Sequence, residues 1–376
     1  MPRINVKLGN RSYPVIIGTN ITPQLDALLK KHVGRGRLFV FCDAGFYALH
    51  GPRLRRGIHL PDSRVTEAVI PQGERSKSFT QLHRLYDFLL SESICRSDFI
   101  LACGGGVTTD LVGYAAATML RGVKWAAVPT TLVGMVDAAI GGKTAVNHNR
   151  GKNLIGSVHQ PRFVFADTQY LATLSERQLI AGLGEVIKCA GLIGPDAIGK
   201  VSRYFQTGDL YDLKRLTPIV TDCAKYKAEI VGRDETEQHE RMFLNYGHTI
   251  GHGVELSLGY GRILHGEAVI IGLLAALELG ERVLPKSTAS LRQYRELVER
   301  ALTAVPKRKL DARAILDGLK FDKKRRHGRS TFVLLAKPGK PILTQQIDTS
   351  TVRKTLTATI ALYSRKKGSH GKNPDR

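Results

Sequence analysis

DFILACGGGVTTDLVGYAAATML, residues 98–120, decides the fold class. Asp98–Cys103 is a short apolar run of strand type, Gly104-Gly105-Gly106 forms the turn, and a helical pattern opens near Val107. A strand, a glycine turn and a helix N-terminus make a diphosphate cradle, because backbone N–H groups can close on an anion where no Cβ intervenes. The spacing is not GxGxxG, so an ordinary dinucleotide fingerprint does not follow. A tight turn that needs positive φ is the competing reading of the three glycines. Continuing to Asn153, the chain adds Asp110, Thr130-Thr131, Asp137, Gly141-Gly142-Lys143 and Lys152-Asn153. Lys143 after a double glycine reads as anion binding, although the Walker spacing is absent. This stretch has the residues to hold both a nucleotide and an acidic small ligand.

The same grammar runs through the first half. Arg37–Asp43, Val123–Thr130 and Arg162–Asp167 are further short apolar runs. Between them lie helical patterns such as Ser78–Ser91, with Phe79, Leu82, Leu85, Phe88 and Leu89 on one face. After Asp167 strand signals thin out. Ser175–Ile193, with Ser175 as N-cap, and 212–231, 242–258, 266–284 and 287–304 read as helices, and Thr331–Ala336 as a late strand. The expectation is an α/β N-terminal nucleotide-binding domain with a mostly parallel sheet over 1–167, then an α-helical C-terminal domain over 168–363. A basic tail, 364–376, is expected to be disordered.

Bulk properties bound the function. The 376 residues carry a net charge of +23 and five scattered cysteines without a CxxC pair. A disulfide framework or thiolate zinc site is therefore not expected, and a reduced, cytoplasmic compartment fits best. No apolar run approaches the roughly 18 residues that span a bilayer. The positive excess lies in surface-type clusters with no interleaved aromatics, so no specific nucleic-acid partner is expected.

Other constellations carry chemistry. Pro71-Gln72-Gly73-Glu74 with Lys77 places an acid where a loop meets a helix, within reach of a ribose; acids are also common in any first helical turn. Asn245-Tyr246-Gly247-His248-Thr249-Ile250-Gly251-His252 sets two histidines four apart on one helix face, and His265 follows before Gly266-Glu267. Glu185 and Lys188 lie one turn apart in an apolar, glycine-rich context. Catalytic zinc takes three protein ligands from histidine and carboxylate. Spacing alone points to His248 and His252 as a ligand pair. For any single one of these histidines, a core or capping role is the commoner reading. Lys227, Arg241 and Asp322-Lys323-Lys324 read by themselves as solvated charges.

Taken in order, PQGERSK, GGGVTTDLVGYAAATMLRGV, VPTTL, VDAAIGGKTAVN, GKNLIG, GLGEVIK, RMFLNYGHTIGH, LHGEAV and FDKKRRHG resemble the 3-dehydroquinate synthase family of sugar-phosphate cyclases, over nearly all of residues 35–340. The resemblance implies an NAD-binding domain, a helical domain, a Zn2+ or Co2+ ion and a phosphorylated sugar acid, 3-deoxy-D-arabino-heptulosonate 7-phosphate, as substrate. It implies Glu185, His248 and His265 as metal ligands, which moves His252 to the catalytic group with Lys143, Lys188, Lys227, Arg241 and Asn245. Substrate contacts fall on Arg121, Asp137, Asn153 and Lys323 or Lys324. NAD contacts fall on Asp43, Glu74, Lys77, Gly105, Gly106, Asp110, Thr130, Thr131, Lys152 and Thr173. Arg121 would reach a neighbouring subunit, which implies a homodimer. The implied chemistry is transient oxidation, phosphate β-elimination, re-reduction and an intramolecular aldol closure.

The chain departs from the family pattern at Ala138-Ala139, where Ser-Ser is usual, at Gly184 in place of Ala, and at Cys189-Ala190. The alternatives are a sister cyclase of the valiolone or deoxy-inosose type, a metal-dependent polyol dehydrogenase, and a non-catalytic binding protein that exploits the basic surface. Asn245, His252 and Asp322-Lys323-Lys324 keep the dehydroquinate synthase form.

Overall fold

The computed structural model describes residues 2–259, 261–284, 289–319 and 330–365. The apolar runs become strands: β1 (Arg3–Val6), β2 (Tyr13–Gly18), β3 (Leu38–Asp43), β4 (Val65–Ile70), β5 (Phe99–Gly104), β6 (Lys124–Pro129), β7 (Lys143–His148), β8 (Gly151–Val158) and β9 (Val164–Asp167). Seven of them form one sheet in the order β1-β2-β9-β6-β5-β3-β4. Only β1 with β2 is antiparallel; the remaining pairs are parallel. Every residue of β5 is buried, which is why it reads as a continuous apolar run and not as an alternation.

Helices follow the strands: α1 (Leu25–Val33), α2 (Ala44–Arg56), α3 (Phe79–Ser91) and α4 (Gly106–Thr118). In α3, Leu82, Leu85 and Leu89 are buried as expected, but Phe79 at the first turn is exposed. From β3 the chain steps out to β4 and then returns to lay β5 on the other side of β3. Strand order reverses there, and ligands of open α/β sheets bind beyond the carboxyl ends of strands at such a point. Cys42 pairs with Cys103, so Asp43 and Gly104 leave the sheet side by side. The hairpin β7–β8, a stretch to which the sequence analysis assigns no strand, runs from Lys143 to Val158.

The rest is helical: α5 (Glu176–Ile193), α6 (Pro195–Gln206), α7 (Leu213–Arg233), α8 (His248–Leu258), α9 (His265–Val283), α10 (Arg292–Leu302), α11 (Ala312–Leu319) and α12 (Thr349–Ser364), with a hairpin of β10 (Phe332–Lys337) and β11 (Lys340–Thr344). Ser175 and Gln178 cap α5 reciprocally: Gln178 N donates to Ser175 Oγ at 3.3 Å, and Ser175 N donates to Gln178 Oε1 at 3.3 Å. The helix expected over 242–258 starts later. Glu240–Asn245 is a 3-10 turn, and left-handed Gly247, at φ 77°, opens α8 at His248.

The chain divides into two compact units. One holds residues up to Gly182 together with Tyr204–Arg241; the other holds Leu183–Arg203 and the described residues from Met242 on. This differs from the change of domain expected at residue 167. Strand signals do thin out there, but α7 packs on β1 and β2 and so belongs to the sheet unit. Lys323 and Lys324 lie outside the described residues, as does the tail beyond Arg365.

In the second unit α9 is buried from Gly266 to Gly280. It crosses α8 so closely that a Cβ on Gly272 would lie 1.9 Å from the Gly247 carbonyl oxygen. No side-chain shift relieves a clash with backbone, and overpacking of this kind costs about 1–3 kcal/mol or more. Gly272→Ala is therefore expected to lower the thermal midpoint by several degrees. Calorimetry checks this; an unchanged midpoint contradicts the crossing.

Candidate functional site

The buried end of α5 faces the first turns of α8 and α9. Glu185 is 1% exposed, and Lys188, one turn later, is 3% exposed. Lys188 Nζ lies 2.6 Å from Glu185 Oε2. On the other oxygen, Oε1, His265 Nε2 lies at 3.3 Å and His248 Nε2 at 3.5 Å. Despite these charged neighbours, neither Glu185 oxygen receives an aligned hydrogen bond. A buried carboxylate with open lone pairs is expensive unless a cation takes them. The donor atoms of Glu185, His248 and His265 all lie within 4.8 Å of one another, and one carboxylate with two imidazoles is a donor set suited to Zn2+ or Co2+.

The ring orientations agree with that use. His248 Nδ1 lies 3.2 Å from the Tyr246 carbonyl oxygen. A carbonyl only accepts, so Nδ1 carries the hydrogen and Nε2 keeps a lone pair toward Glu185. Burial holds His248 below the ordinary histidine range, which favours the neutral, ligating imidazole. For Glu185, burial pushes the pKa up, but Lys188 and His248 outweigh it and keep the carboxyl ionised. For His265, burial opposes the charge, yet Glu255 and Glu185 raise its pKa to about 10. Two buried carboxylates around one ring thus demand positive charge at this spot.

The sequence reading named Glu185, His248, His252, His265 and Lys188; the structure gathers all five on α5, α8 and the start of α9. His252 falls with Glu255 and His265 in a second donor group, so the pairing of His248 with His252 drawn from spacing is not how the donor atoms cluster. Asn245 closes the turn before α8. Glu255 was missed. Its signal was its position on the His248 and His252 face, seven and three residues on.

In the sheet unit the expected nucleotide-side and substrate-side residues make a set of charge pairs and hydrogen bonds, with a network centred on Lys77. Lys77, 4% exposed, donates to Asp110 Oδ2 and Asn153 Oδ1. Asn147, another residue not named from sequence, donates to Glu74 Oε1 at 2.7 Å and accepts from Asn153 N at 3.1 Å. Lys227 donates to the Asp137 carboxylate and carbonyl, and Lys143 pairs with Glu237. Arg241 is anchored on backbone, to Gly141 O at 3.2 Å and to Glu235 O. Burial pushes the Asp110 carboxyl up, against the pull of Lys77.

Gly105 and Gly106 open α4, and neither has positive φ. The tight-turn reading fails; close packing requires them instead. A Cβ on Gly105 would lie 3.0 Å from Thr131 Cγ2, and one on Gly106 2.9 Å from Ala138 Cβ. Thr130 N donates to Gly104 O at 3.0 Å, which ties the loop after β6 to the glycine turn. Three expected contacts stand apart from the network. Asp43 caps α2 through Phe46 N, Thr173 bonds His50, and Arg121 is exposed at φ 62°. Lys152 lies in β8.

Comparison with known proteins follows the same outline. The family model for the 3-dehydroquinate synthase N-terminal region matches residues 67–181, and that for the C-terminal region matches 182–325. The chain is 40% identical to a 3-dehydroquinate synthase of Rhodospirillum rubrum, with 95% of each chain covered. It is 36% identical to that of Acinetobacter baylyi, covering 97% of this chain and all of that one (100%). Among solved structures it is similar to a 2-deoxy-scyllo-inosose synthase complexed with carbaglucose-6-phosphate, NAD+ and Co2+. There the TM-score is 0.82 and the identity 25%, over 94% of this chain and 99% of that one.

The Lys77–Asp110 pair gives a pH-dependent test. Asp110 binds its proton more tightly in the fold than in the unfolded chain, so its contribution to stability falls as pH rises. Removing the Lys77 charge enlarges that loss. Lys77→Met is expected to cost roughly 3 kcal/mol at pH 7.5, the low end for a broken buried pair, and less at pH 4.5. Urea unfolding at the two values checks this; an equal cost at both contradicts the coupling.

Proposed function

The chain belongs to the 3-dehydroquinate synthase family, and from that membership we propose how its own residues divide the reaction. The activity is conversion of 3-deoxy-D-arabino-heptulosonate 7-phosphate to 3-dehydroquinate and phosphate, a step of aromatic amino acid biosynthesis. NAD supplies a reversible hydride acceptor, and the divalent metal supplies a Lewis acid at the substrate hydroxyl.

Glu185, His248 and His265 hold the metal. The observation that carries this is the buried Glu185 carboxylate, ion-paired with Lys188 on one oxygen and facing two imidazole nitrogens with the other. Lys188 keeps Glu185 ionised and would offer its positive charge to the substrate. Gly105, Gly106 and the start of α4 cradle the NAD diphosphate, while Glu74, Lys77 and Asp110 present a polar, pre-ordered wall to the rest of the nucleotide. Asp43, Thr130, Thr131, Lys152 and Thr173 complete the nucleotide contacts.

Substrate handling falls to the second set of charges. Arg241 is 3% exposed and fastened to two carbonyl oxygens, so it offers its charge with little reorganisation. Lys143, held by Glu237, and Lys227, held by Asp137, are cations placed by partners that an incoming phosphate or carboxylate competes for. Asn153, Asn245 and His252 orient hydroxyls, Arg121 and Lys323 or Lys324 contribute further charge, and the leaving phosphate takes the proton during elimination. A polyol dehydrogenase needs no such set of anion-holding cations. We also propose a homodimer in the cytoplasm; among the described residues no helix is long and apolar enough to cross a membrane.

Metal-loaded protein given NAD and the heptulosonate phosphate is expected to release phosphate and dehydroquinate in equal amounts. Glu185→Gln and Lys227→Met are each expected to cut turnover by roughly a hundred- to a thousandfold. A coupled phosphate assay with product chromatography checks this; no phosphate from the unmodified protein contradicts the assignment.

A further inference from the structure

Helix α8 carries a third polar group on the face that bears His248 and His252. Glu255 is 3% exposed, a depth at which a carboxylate has to be paired. Its Oε2 lies 3.0 Å from His265 Nδ1, whereas His265 Nε2 lies 3.3 Å from Glu185 Oε1. The two carboxylates address opposite nitrogens of one ring.

Resting on the metal donors proposed above, we propose that Glu255 is a positioning residue for the metal centre, acting through His265. Its carboxylate accepts the Nδ1–H, which fixes the tautomer and leaves the Nε2 lone pair for the cation. It also places a second negative charge one ring away from the ion and makes His265 the more basic donor. His248 is held differently: its Nδ1–H goes to the neutral Tyr246 carbonyl. Glu185 and Glu255 thus bring two negative charges and Lys188 one positive charge toward a dication. Without Glu255 the charges of Glu185 and Lys188 cancel, and retention of the metal falls.

The donor atoms of His252, Glu255 and His265 also lie within 4.8 Å of one another. An ion held there would take His265 through Nδ1, the nitrogen that faces Glu255, and would make Glu255 a ligand. Counting the bound metal separates the two arrangements.

The test strips the full-length protein of metal and titrates it with Zn2+ and with Co2+ against a competing chelator. Stoichiometry and the Co2+ visible spectrum are recorded beside Glu255→Ala, Glu255→Gln and Glu185→Gln. The expected result is one ion per chain in the unmodified protein and an affinity about 10–100-fold weaker in Glu255→Ala. Glu255→Gln loses less, because its amide oxygen still accepts the Nδ1–H, and both variants shift the Co2+ spectrum with unchanged circular dichroism. A purely structural Glu255 would leave affinity and spectrum unmoved. That result, with one ion in the unmodified protein, overturns this inference alone. If Glu185→Gln keeps its ion, the donor assignment beneath it fails. A second ion in the unmodified protein that disappears in Glu255→Gln makes Glu255 a ligand and also overturns the positioning role.

Discussion

A single carboxylate, that of Glu185, constrains the helical unit. It sits inside a packed bundle with both oxygens lacking an aligned hydrogen bond, a placement that costs several kcal/mol unless positive charge compensates it. The surrounding backbone is shaped to bring that charge close. A Cβ on Gly184 would lie 2.4 Å from the Gly266 carbonyl oxygen, so α5 approaches the start of α9 as nearly as a backbone can and sets Glu185 beside His265. The α8–α9 crossing at Gly247 and Gly272 then brings His248 to the same point. Gly184, a departure from the family's usual Ala, belongs to this packing.

The sheet unit meets its charge differently. Its cations are exposed enough, or anchored well enough, to be paired one by one: Lys77 with Asp110, Lys227 with Asp137, Lys143 with Glu237. Pairing keeps each in a defined place and offsets its charge locally. The Ala138-Ala139 departure fits this unit. Ala138 packs at the Cβ position that Gly106 lacks, and Ala139 is 3% exposed. Methyl groups there leave no buried hydroxyl in need of a partner.

Much of this is legible in the sequence. The run from Asp98 to Val107 announced strand, turn and helix because β5 is buried on both faces and its turn is glycine. The order of motifs identified the family, and Ser175 was readable as a cap because capping is local chemistry. What was not legible is non-local. The sheet unit takes back α7 after the chain has already entered the helical unit, and no local pattern announces a return. Glu255 shares a face with two histidines but looks like any acid on an amphipathic helix until His265 arrives from α9. Asn147, likewise, acquires its part in the Glu74 and Asn153 contacts only when the β7–β8 hairpin forms.

The most direct test is anomalous diffraction at the zinc or cobalt edge from crystals of the metal-loaded protein. One peak per chain is expected at bonding distance from Glu185, His248 Nε2 and His265 Nε2, with Glu255 on the far nitrogen of the His265 ring. A peak held by His252 and Glu255 instead, or none within reach of Glu185, would contradict that expectation.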